Sequence, residues 1–337
     1  MKILVGISGG VDSAFAAKKL ILDGHEVEGA VLVMHEYTEL LAAREVALSV
    51  GIRLHEIDAR GDFEKIKENF VNEYINARTP NPCIICNERV KFRRLYDFAM
   101  AGGFDAIATG HYAKVVGLDG RYALAIPEDS RKDQTYMLYR LPQDILSRLV
   151  LPLSEGTKGE VRQLAREQGI SAADRGDSQE ICFLPDGGHT DYIESVAGKC
   201  PEGDFIDVDG RVLGRHKGII HYTVGQRKGL GISLGERAFV TEIDPINNTV
   251  TLSPNMSGKS CVFLADTVYS GMTPPTEECE IALEVKLRYT APLVPATAHL
   301  YPDGRATLTL STPQKFAPGQ SAVLYRDGVV ILGGFIQ

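Results

Sequence analysis

The stretch KILVGISGGVDSAFAAKKLIL, residues 2–22, decides the fold. Lys2 to Ile7 is a short, mostly apolar run with the length of a buried strand. The loop Ser8-Gly9-Gly10-Val11-Asp12-Ser13 follows at once. From Val11 to Leu22 the apolar set Val11, Ala14, Phe15, Ala17, Leu20 and Ile21 recurs at helical spacing, and Gly24 stops it. A strand, a glycine turn and a helix in this order make an anion site. Glycine lets the backbone approach a ligand at positive φ. The N–H groups at the helix start, helped by the hydroxyls of Ser8 and Ser13, then face a phosphate. The loop has no lysine, so it is not a GxxxxGK[ST] phosphate loop. Asp12 is the candidate ligand for a Mg²⁺ that bridges phosphates.

Outward from this unit, strands and helices keep alternating. Glu26 to Met34, Arg53 to Ile57 and Phe104 to Thr109 read as strands. Thr38 to Val50, Phe63 to Asn76 and Glu88 to Met100 read as helices. The pattern predicts an α/β fold with a doubly wound parallel sheet, whose ligands gather at the carboxyl ends of its strands, near Ser8, Met34 and Gly110. After about Gly203 the helical period fades. Short alternating segments follow, such as Glu280 to Leu287, Thr297 to Tyr301, Ala306 to Leu310 and Ala322 to Tyr325. Turns at Pro302-Asp303-Gly304 and Arg326-Asp327-Gly328 separate them, which predicts a small antiparallel barrel. The expected division is a catalytic domain at 1–198, a small β-rich central domain at 199–256 and a C-terminal β-barrel at 257–337. The glycines from Gly229 to Gly235 lack a βαβ frame and read as a plain loop.

The 337 residues, 44% hydrophobic and 24% charged, exclude a disordered or fibrous chain. The net charge of −8 argues, taken alone, against a nucleic-acid binder. Ile3 to Val5 is too short for a signal-peptide core, and Ala30 to Met34 is far too short to span a membrane. The chain is expected in the cytoplasm, with no membrane partner. There its six cysteines point to chemistry rather than to structural disulfides. Cys83 and Cys86 lie three apart in Thr79-Pro80-Asn81-Pro82-Cys83-Ile84-Ile85-Cys86-Asn87. The prolines preset a rigid loop, and Asn87 is a candidate cap for the next helix. That places Cys86 near a helix N-terminus, where thiolate is favoured. Cys182 sits in the polar stretch Asp177-Ser178-Gln179-Glu180-Ile181-Cys182-Phe183.

These and further motifs, in order, are SGGVDS (8–13), TPNPCIICN (79–87), ATGHYA (108–113) and KDQTYML (132–138). DSQEICF (177–183), YTVGQRKGLGI (222–232), RYT (288–290) and PGQSAVLY (318–325) follow. The chain resembles the bacterial tRNA-specific 2-thiouridylases, the MnmA family of the ATP-pyrophosphatase superfamily, from its first strand to its last. The resemblance implies an N-type ATP-pyrophosphatase domain and a tRNA-uridine 2-sulfurtransferase. ATP adenylates the C2 oxygen of the wobble uridine, a persulfide on Cys182 attacks C2, and Cys86 is the partner cysteine that forms a transient disulfide. Gly6, Ile7, Ser8, Gly9, Gly10, Val11, Asp12 and Ser13 would bind ATP, with Met34 and Gly110 lining the nucleotide site. Asn81, Pro82 and Cys83 would approach the target base. His111, Lys132, Asp133, Gln134, Arg288, Tyr289 and Gln320 would contact tRNA. ATP and Mg²⁺ are the implied cofactors. The implied partners are tRNA and a cysteine desulfurase or sulfur-relay protein.

The chain departs from the family pattern at Cys83, where the best-known members carry an aspartate proposed to assist proton transfer. Cys83 takes that role, or it joins Cys86 and Cys182 in a set of the type that ligates an iron–sulfur cluster such as [4Fe-4S]. Another adenylating ligase of the superfamily is the enzyme alternative, and it would need no paired cysteines. The segment after Met34 is also short, passing through His35-Glu36-Tyr37 into the helix.

Charge distribution reverses the first impression about RNA. Between Arg211 and Arg237 stand six basic residues, Arg211, Arg215, Lys217, Arg227, Lys228 and Arg237, against the single acid Glu236. His216, His221 and Tyr222 are interleaved as candidate stacking groups. Arg227 and Lys228, beside glycines, are expected to contact phosphate. A second basic stretch from Arg131 to Arg175 includes Lys158, Arg162 and Arg166, and there a solvated helix face is an equal reading.

Overall fold

The computed structural model describes residues 1–36, 38–167, 181–184, 188–232 and 237–337. Asp177 to Glu180, Arg175, Gly235 and Glu236 lie outside the described residues. The first strand, β1 (Lys2–Gly6), buries Ile3, Leu4 and Val5 completely, as a central parallel strand covered on both faces must. It leads through the glycine loop into α1 (Val11–Leu22), whose Ala14, Ala16 and Ala17 let it pack close to the sheet. Then come β2 (Glu26–Val33), α2 (Leu40–Val50), β3 (Leu54–Asp58), α3 (Arg60–Ile75) and α4 (Pro82–Cys86). A π-helical turn over Asn87–Lys91 joins α4 to α5 (Phe92–Ala101), which precedes β4 (Ala106–Ala108).

A hairpin of β5 (Lys114–Leu118) and β6 (Arg121–Ala125) comes next. It is followed by α6 (Thr135–Leu138), α7 (Gln143–Leu146), β7 (Leu149–Val150), α8 (Lys158–Glu167) and α9 (Gly188–Ala197). The first sheet has the order β3-β2-β1-β4-β7, with every pairing parallel. Chain direction across the sheet reverses beside β1, so a crevice opens at the carboxyl ends of β1 and β4, the usual place for a ligand in such a sheet.

The central sheet runs β10 (Phe239–Asp244), β11 (Thr249–Ser253), β8 (Gly203–Ile206), β9 (Val212–His216). The last unit comprises β12 (Lys259–Tyr269), β13 (Cys279–Lys286), β14 (Val294–Leu300), β15 (Ala306–Gln314), β16 (Ser321–Arg326) and β17 (Val329–Ile336). Their order is β12-β15-β14-β13-β16-β17, and β12 also pairs with β17, so the barrel closes and leaves no free edge. The alternation read from sequence stopped at Thr109. The hairpin that follows instead joins the barrel, β6 meeting β17 at Ala125 and Val329. Its turn, Asp119-Gly120 with φ of +49° and +75°, is an Asp-Gly hairpin signal that was legible but unused.

Three joints hold the units together. One apolar cluster is shared by α3 (Phe63, Phe70), Cys86, Phe183 and the central sheet (Phe205, Val240, Val250). The buried Arg140 pairs with Glu88 at 2.9 Å and with Asp266 of β12 at 2.9 Å. Tyr136 and Tyr139 reach Ser321 of β16 through their hydroxyls. Among the described residues no helix is long and apolar enough to cross a membrane.

Candidate functional site

The glycine loop is held in shape by its own serines. Ser13 Oγ donates to Gly10 O at 2.9 Å and accepts from Ser8 N at 3.2 Å. Gly10 caps α1 with extended backbone and no side-chain cap hydrogen bond, so the start of the helix lacks a side-chain cap. Two glycines are required. Gly9 has φ of +84°, and a Cβ there would meet the Ala42 side chain at 2.7 Å. A Cβ on Gly110 would lie 2.6 Å from the backbone carbon of Asp12, so β4 presses its end directly against the loop.

Asp12 is engaged on both oxygens. Tyr112 donates its hydroxyl to Oδ1 at 2.8 Å, and the Lys158 ammonium pairs with Oδ2 at 3.0 Å. Lys158 comes from the first turn of α8, where Thr157 and Glu160 cap each other's backbone N–H groups. The structure thus supplies from α8 the lysine that the loop lacks. As folded, Asp12 is not an open Mg²⁺ ligand, and no step is drawn through that ion.

The cysteine loop differs from its sequence reading. Asn81, not Asn87, is the cap: its side chain accepts from Cys83 N at 3.2 Å, with Pro82 in the first position of α4. Asn87 is helical and instead donates its side-chain amide to Met137 O at 2.9 Å. Cys83 therefore holds the helix N-terminus. Cys86 ends α4 and runs on into the π turn, because the helix does not stop at Asn87. Burial pushes the Cys86 thiol up to about 12, although Lys91 works to lower it. Its Sγ lies 4.0 Å from Met34 Sδ, just past the end of β2. The short segment after Met34 is folded back by Thr38, whose Oγ1 accepts from Met34 N and His35 N.

Cys182 and Phe183 occupy a tight turn closed by Leu184 N to Ile181 O at 3.1 Å. Phe183 points inward and is 4% exposed, edge-on to Phe63, Phe70 and Tyr192. Cys182 is exposed as a residue, yet desolvation of its thiol still raises the pKa, with Lys91 acting in the opposite direction. Cys83, Cys86 and Cys182 all fall within the field of Lys91. All six cysteines are free. Among the described residues no group of three or more His, Cys, Asp or Glu is gathered to hold a metal ion. The trio as it lies does not form a cluster-ligand set, and no step is drawn through a cluster.

The remaining sequence candidates fall into two groups. Several brace the site from within. Gln134 Oε1 accepts from Tyr112 N at 2.8 Å, tying the KDQ segment to GHY. Asp133 is buried, paired with Lys286 at 3.1 Å and hydrogen-bonded to Thr135. Gln320 donates to Thr79 O at 2.6 Å, and Thr79 N donates to Pro318 O at 2.8 Å, so the barrel clasps the TPNP loop. His111 Nδ1 lies 2.9 Å from Thr109 Oγ1, and burial drives its pKa down to about 3, keeping the ring neutral.

Others face outward. Arg227, Lys228 and Arg288 are exposed, Lys132 is half-buried, and Tyr289 lies beside Lys286. Arg227 and Lys228 are not among the described ion pairs. His216 and Tyr222 are not free to stack on bases: they are 2% and 5% exposed, packed around Phe205 in the central core. In the second basic stretch Arg131 pairs with Asp129 yet stays exposed, Arg140 is buried, and Arg148 and Arg166 are exposed. Lys158, Tyr112 and Lys91 were missed by sequence reasoning. Thr157-Lys158-Gly159-Glu160 did carry a capping signal for the first of them.

Comparison with known proteins gives three successive family matches along the chain. Residues 1–186 match the family described as tRNA methyl transferase HUP domain. Residues 190–254 match the tRNA methyl transferase PRC-barrel domain, and residues 259–336 match the Aminomethyltransferase beta-barrel domain. The tRNA-specific 2-thiouridylase MnmA of Clostridium perfringens is 41% identical over 356 residues, covering 100% of this chain and 98% of that one. The protein of the same name from Chloroflexus aurantiacus is 40% identical over 353 residues, covering 99% and 98%. Among solved structures, a 4-thiouridine synthetase–RNA complex with bound ATP aligns at 18% identity and a TM-score of 0.38, over 54% of this chain and 44% of that chain. With identity near two-fifths over the full chain, the protein belongs to the tRNA-specific 2-thiouridylase family.

Proposed function

We propose that the protein replaces the C2 oxygen of a tRNA wobble uridine with sulfur, using ATP. The observation that carries this reading is the 4.0 Å approach of Cys86 Sγ to Met34 Sδ, which sets a thiol at the lip of the nucleotide crevice. A pyridone-like C2 carbonyl is a poor electrophile with no leaving group. Attack of its oxygen on the α-phosphorus of ATP forms a C2–O–P linkage and releases pyrophosphate. The N-terminal amides of α1, the Ser8 and Ser13 hydroxyls and Lys158 would bind the phosphates. A terminal sulfur carried on Cys182, delivered by a desulfurase-type donor, then bonds to C2. The C2–O bond breaks and AMP leaves. Cys86 attacks the Cys182 sulfur, the S–S bond to the transferred atom breaks, and a Cys86–Cys182 disulfide remains for a thiol reductant to open.

In this reading Asn81, Pro82 and Cys83 sit beside the base, on a loop whose position is set by the barrel through Gln320. Cys83, at the helix N-terminus, stands closest to the aspartate role of the relatives. Arg227 and Lys228 hold tRNA phosphates, and the exposed Arg288 extends that face across the barrel. The units 1–198, 199–256 and 257–337 serve catalysis, RNA docking and loop support respectively. The reaction belongs in the reducing cytoplasm, where the six cysteines stay thiols.

The test is a reaction containing the full-length protein, ATP, an unmodified tRNA transcript and a cysteine desulfurase with cysteine. AMP, pyrophosphate and thiolated tRNA in equal amounts are expected. Release of ADP and phosphate, or AMP release that does not depend on tRNA, overturns the reading.

A further inference from the structure

The segment 136–140 lies between the cysteine helix and the barrel and grips both. Toward the barrel, Tyr136 donates its hydroxyl to Ser321 O at 2.9 Å, and a Cβ on Gly333 of β17 would meet the Tyr139 ring at 2.6 Å. Toward the cysteine helix, the Asn81 amide reaches Met137 Sδ at 3.4 Å and the Asn87 amide donates to Met137 O at 2.9 Å. Arg140 faces both ways. Its Nε donates to Glu88 in the π turn, and its two Nη atoms donate to the backbone carbonyl and the carboxylate of Asp266, each at 2.9 Å. The residue is 5% exposed and its guanidinium lies 4.7 Å over the Phe335 ring. For stability alone an apolar side chain would serve as well here, because desolvation offsets much of a buried ion pair. What the planar fork adds is direction, fixing both partners at set angles. The backbone is irregular at both ends of the fork. Asp266 has φ of +51° inside β12, where the pairing with β17 shifts register between Ala265 and Val268. Such bulges re-aim a side chain, and positive φ outside glycine is strain of the kind found at functional sites. Glu88 lies in the π turn Asn87–Lys91, a widening that is likewise found mostly at functional sites. Between these anchors α4 has only five residues, too few to hold a helix by itself. The barrel holds its leading end at Thr79 through Gln320 and Pro318, and its trailing end at Glu88 through Arg140, two residues after Cys86.

We infer that Arg140 is a positioning residue for sulfur exchange: by tying Glu88 to Asp266 it lets the barrel set where Cys86 stands relative to Cys182. It acts through the π turn rather than on the reacting atoms. The inference rests on the sulfur-transfer reading above and adds the barrel's part in its last step, attack of the Cys86 thiolate on the Cys182 sulfur. That displacement needs the two sulfurs at bonding geometry. A misplacement of about 1 Å in such a step costs up to about 100-fold in rate. Without the fork, α4 keeps its barrel anchor at Thr79 and loses the one beside Cys86.

The experiment measures the rate of Cys86–Cys182 disulfide formation in the full-length protein under diamide, which takes two electrons and two protons from the thiol pair. Peptide mass spectrometry without reductant reads the product. Wild type is compared with Arg140→Met, Asp266→Gly and Asp266→Asn. Glycine accepts the positive φ, so Asp266→Gly removes the carboxylate without backbone strain. Asparagine tolerates the same φ and keeps a side-chain acceptor for Arg140. Disulfide formation should slow about tenfold in Arg140→Met and about threefold in Asp266→Gly, and stay within about twofold of wild type in Asp266→Asn. The kcat for thiolation should fall in the same order with KM for ATP unchanged, a split that lost stability alone does not produce. Should Arg140→Met fail to fold, Asp266→Gly decides. A folded Asp266→Gly protein that forms the disulfide at the wild-type rate overturns the inference. So does a fall in kcat that comes with an equal loss of ATP affinity, since that points to a purely structural joint. A wild-type protein that forms no Cys86–Cys182 disulfide overturns the sulfur-transfer reading, and this inference with it.

Discussion

At the scale of single residues, Asp12 of the glycine loop is held by a charge brought in from outside its own motif. Lys158 lies 146 positions from Asp12 yet forms its ion pair at 3.0 Å. Replacing it by alanine should raise KM for ATP about tenfold or more while leaving tRNA affinity within about twofold, the loss of one partly buried charge-assisted contact. Equilibrium binding of ATP and of tRNA separately checks this. Cys86 offers a pH test. Its thiol ionises near 9.0 in the open chain and at about 12 in the fold, so the folded state keeps a proton that the unfolded state loses. The stability this gives is fully present below the ordinary thiol range and is lost as pH rises from there toward the folded value. Thermal melts of wild type should therefore fall more steeply above about pH 9 than those of Cys86→Ala. Parallel curves for the two proteins would contradict the buried, protonated thiol. The phosphate loop was legible because glycine, serine and helix start are local in sequence. Lys158 was not, since it acts on a residue that only the fold brings near.

At the scale of elements, the decisive joints are turns pressed against other elements. Gly319 has φ of +87°, and a Cβ there would sit 2.9 Å from Thr79 N in the TPNP loop. Gly319→Ala should cost about 1–2 kcal/mol, from αL strain plus the clash. It should also lower kcat for thiolation through displacement of Asn81 and Cys83, without weakening ATP binding. Melting temperature, kcat and ATP affinity measured on one preparation separate these effects. Sequence patterning identified every strand of the parallel sheet but β7, a two-residue strand too short to show a period. It also expected Asn87 to cap a helix beginning at Glu88, whereas the helix begins at Pro82 behind Asn81. Asn81 and Asn87 both suit a cap by type, and the choice was made by the helix running on through a π turn, which no local propensity signals.

At the scale of the whole molecule, a chain of net charge −8 is read as an RNA-binding enzyme because its positive surface is concentrated and its acids are spent elsewhere. Within the second basic stretch Arg140 is consumed internally, locking the barrel to the catalytic unit. The pair Arg227 and Lys228 is exposed, and its proposed role is to meet phosphate. Replacing both by alanine should weaken tRNA binding and lower the slope of log affinity against log salt by roughly one for each residue. An unchanged slope would remove the central unit from the RNA face. Arg227 and Lys228 are exposed, while His216 and Tyr222, read from sequence as stacking groups, are taken up by the core. The central claim is that sulfur passes through Cys182 to C2 of uridine, with Cys86 as its partner. Nucleoside mass spectrometry of tRNA after reaction with wild type, Cys182→Ser, Cys86→Ser and Cys83→Asp tests it most directly. The account predicts 2-thiouridine from wild type and Cys83→Asp, and none above background from Cys182→Ser or Cys86→Ser. A Cys182→Ser protein that still makes 2-thiouridine at the wild-type rate would contradict it.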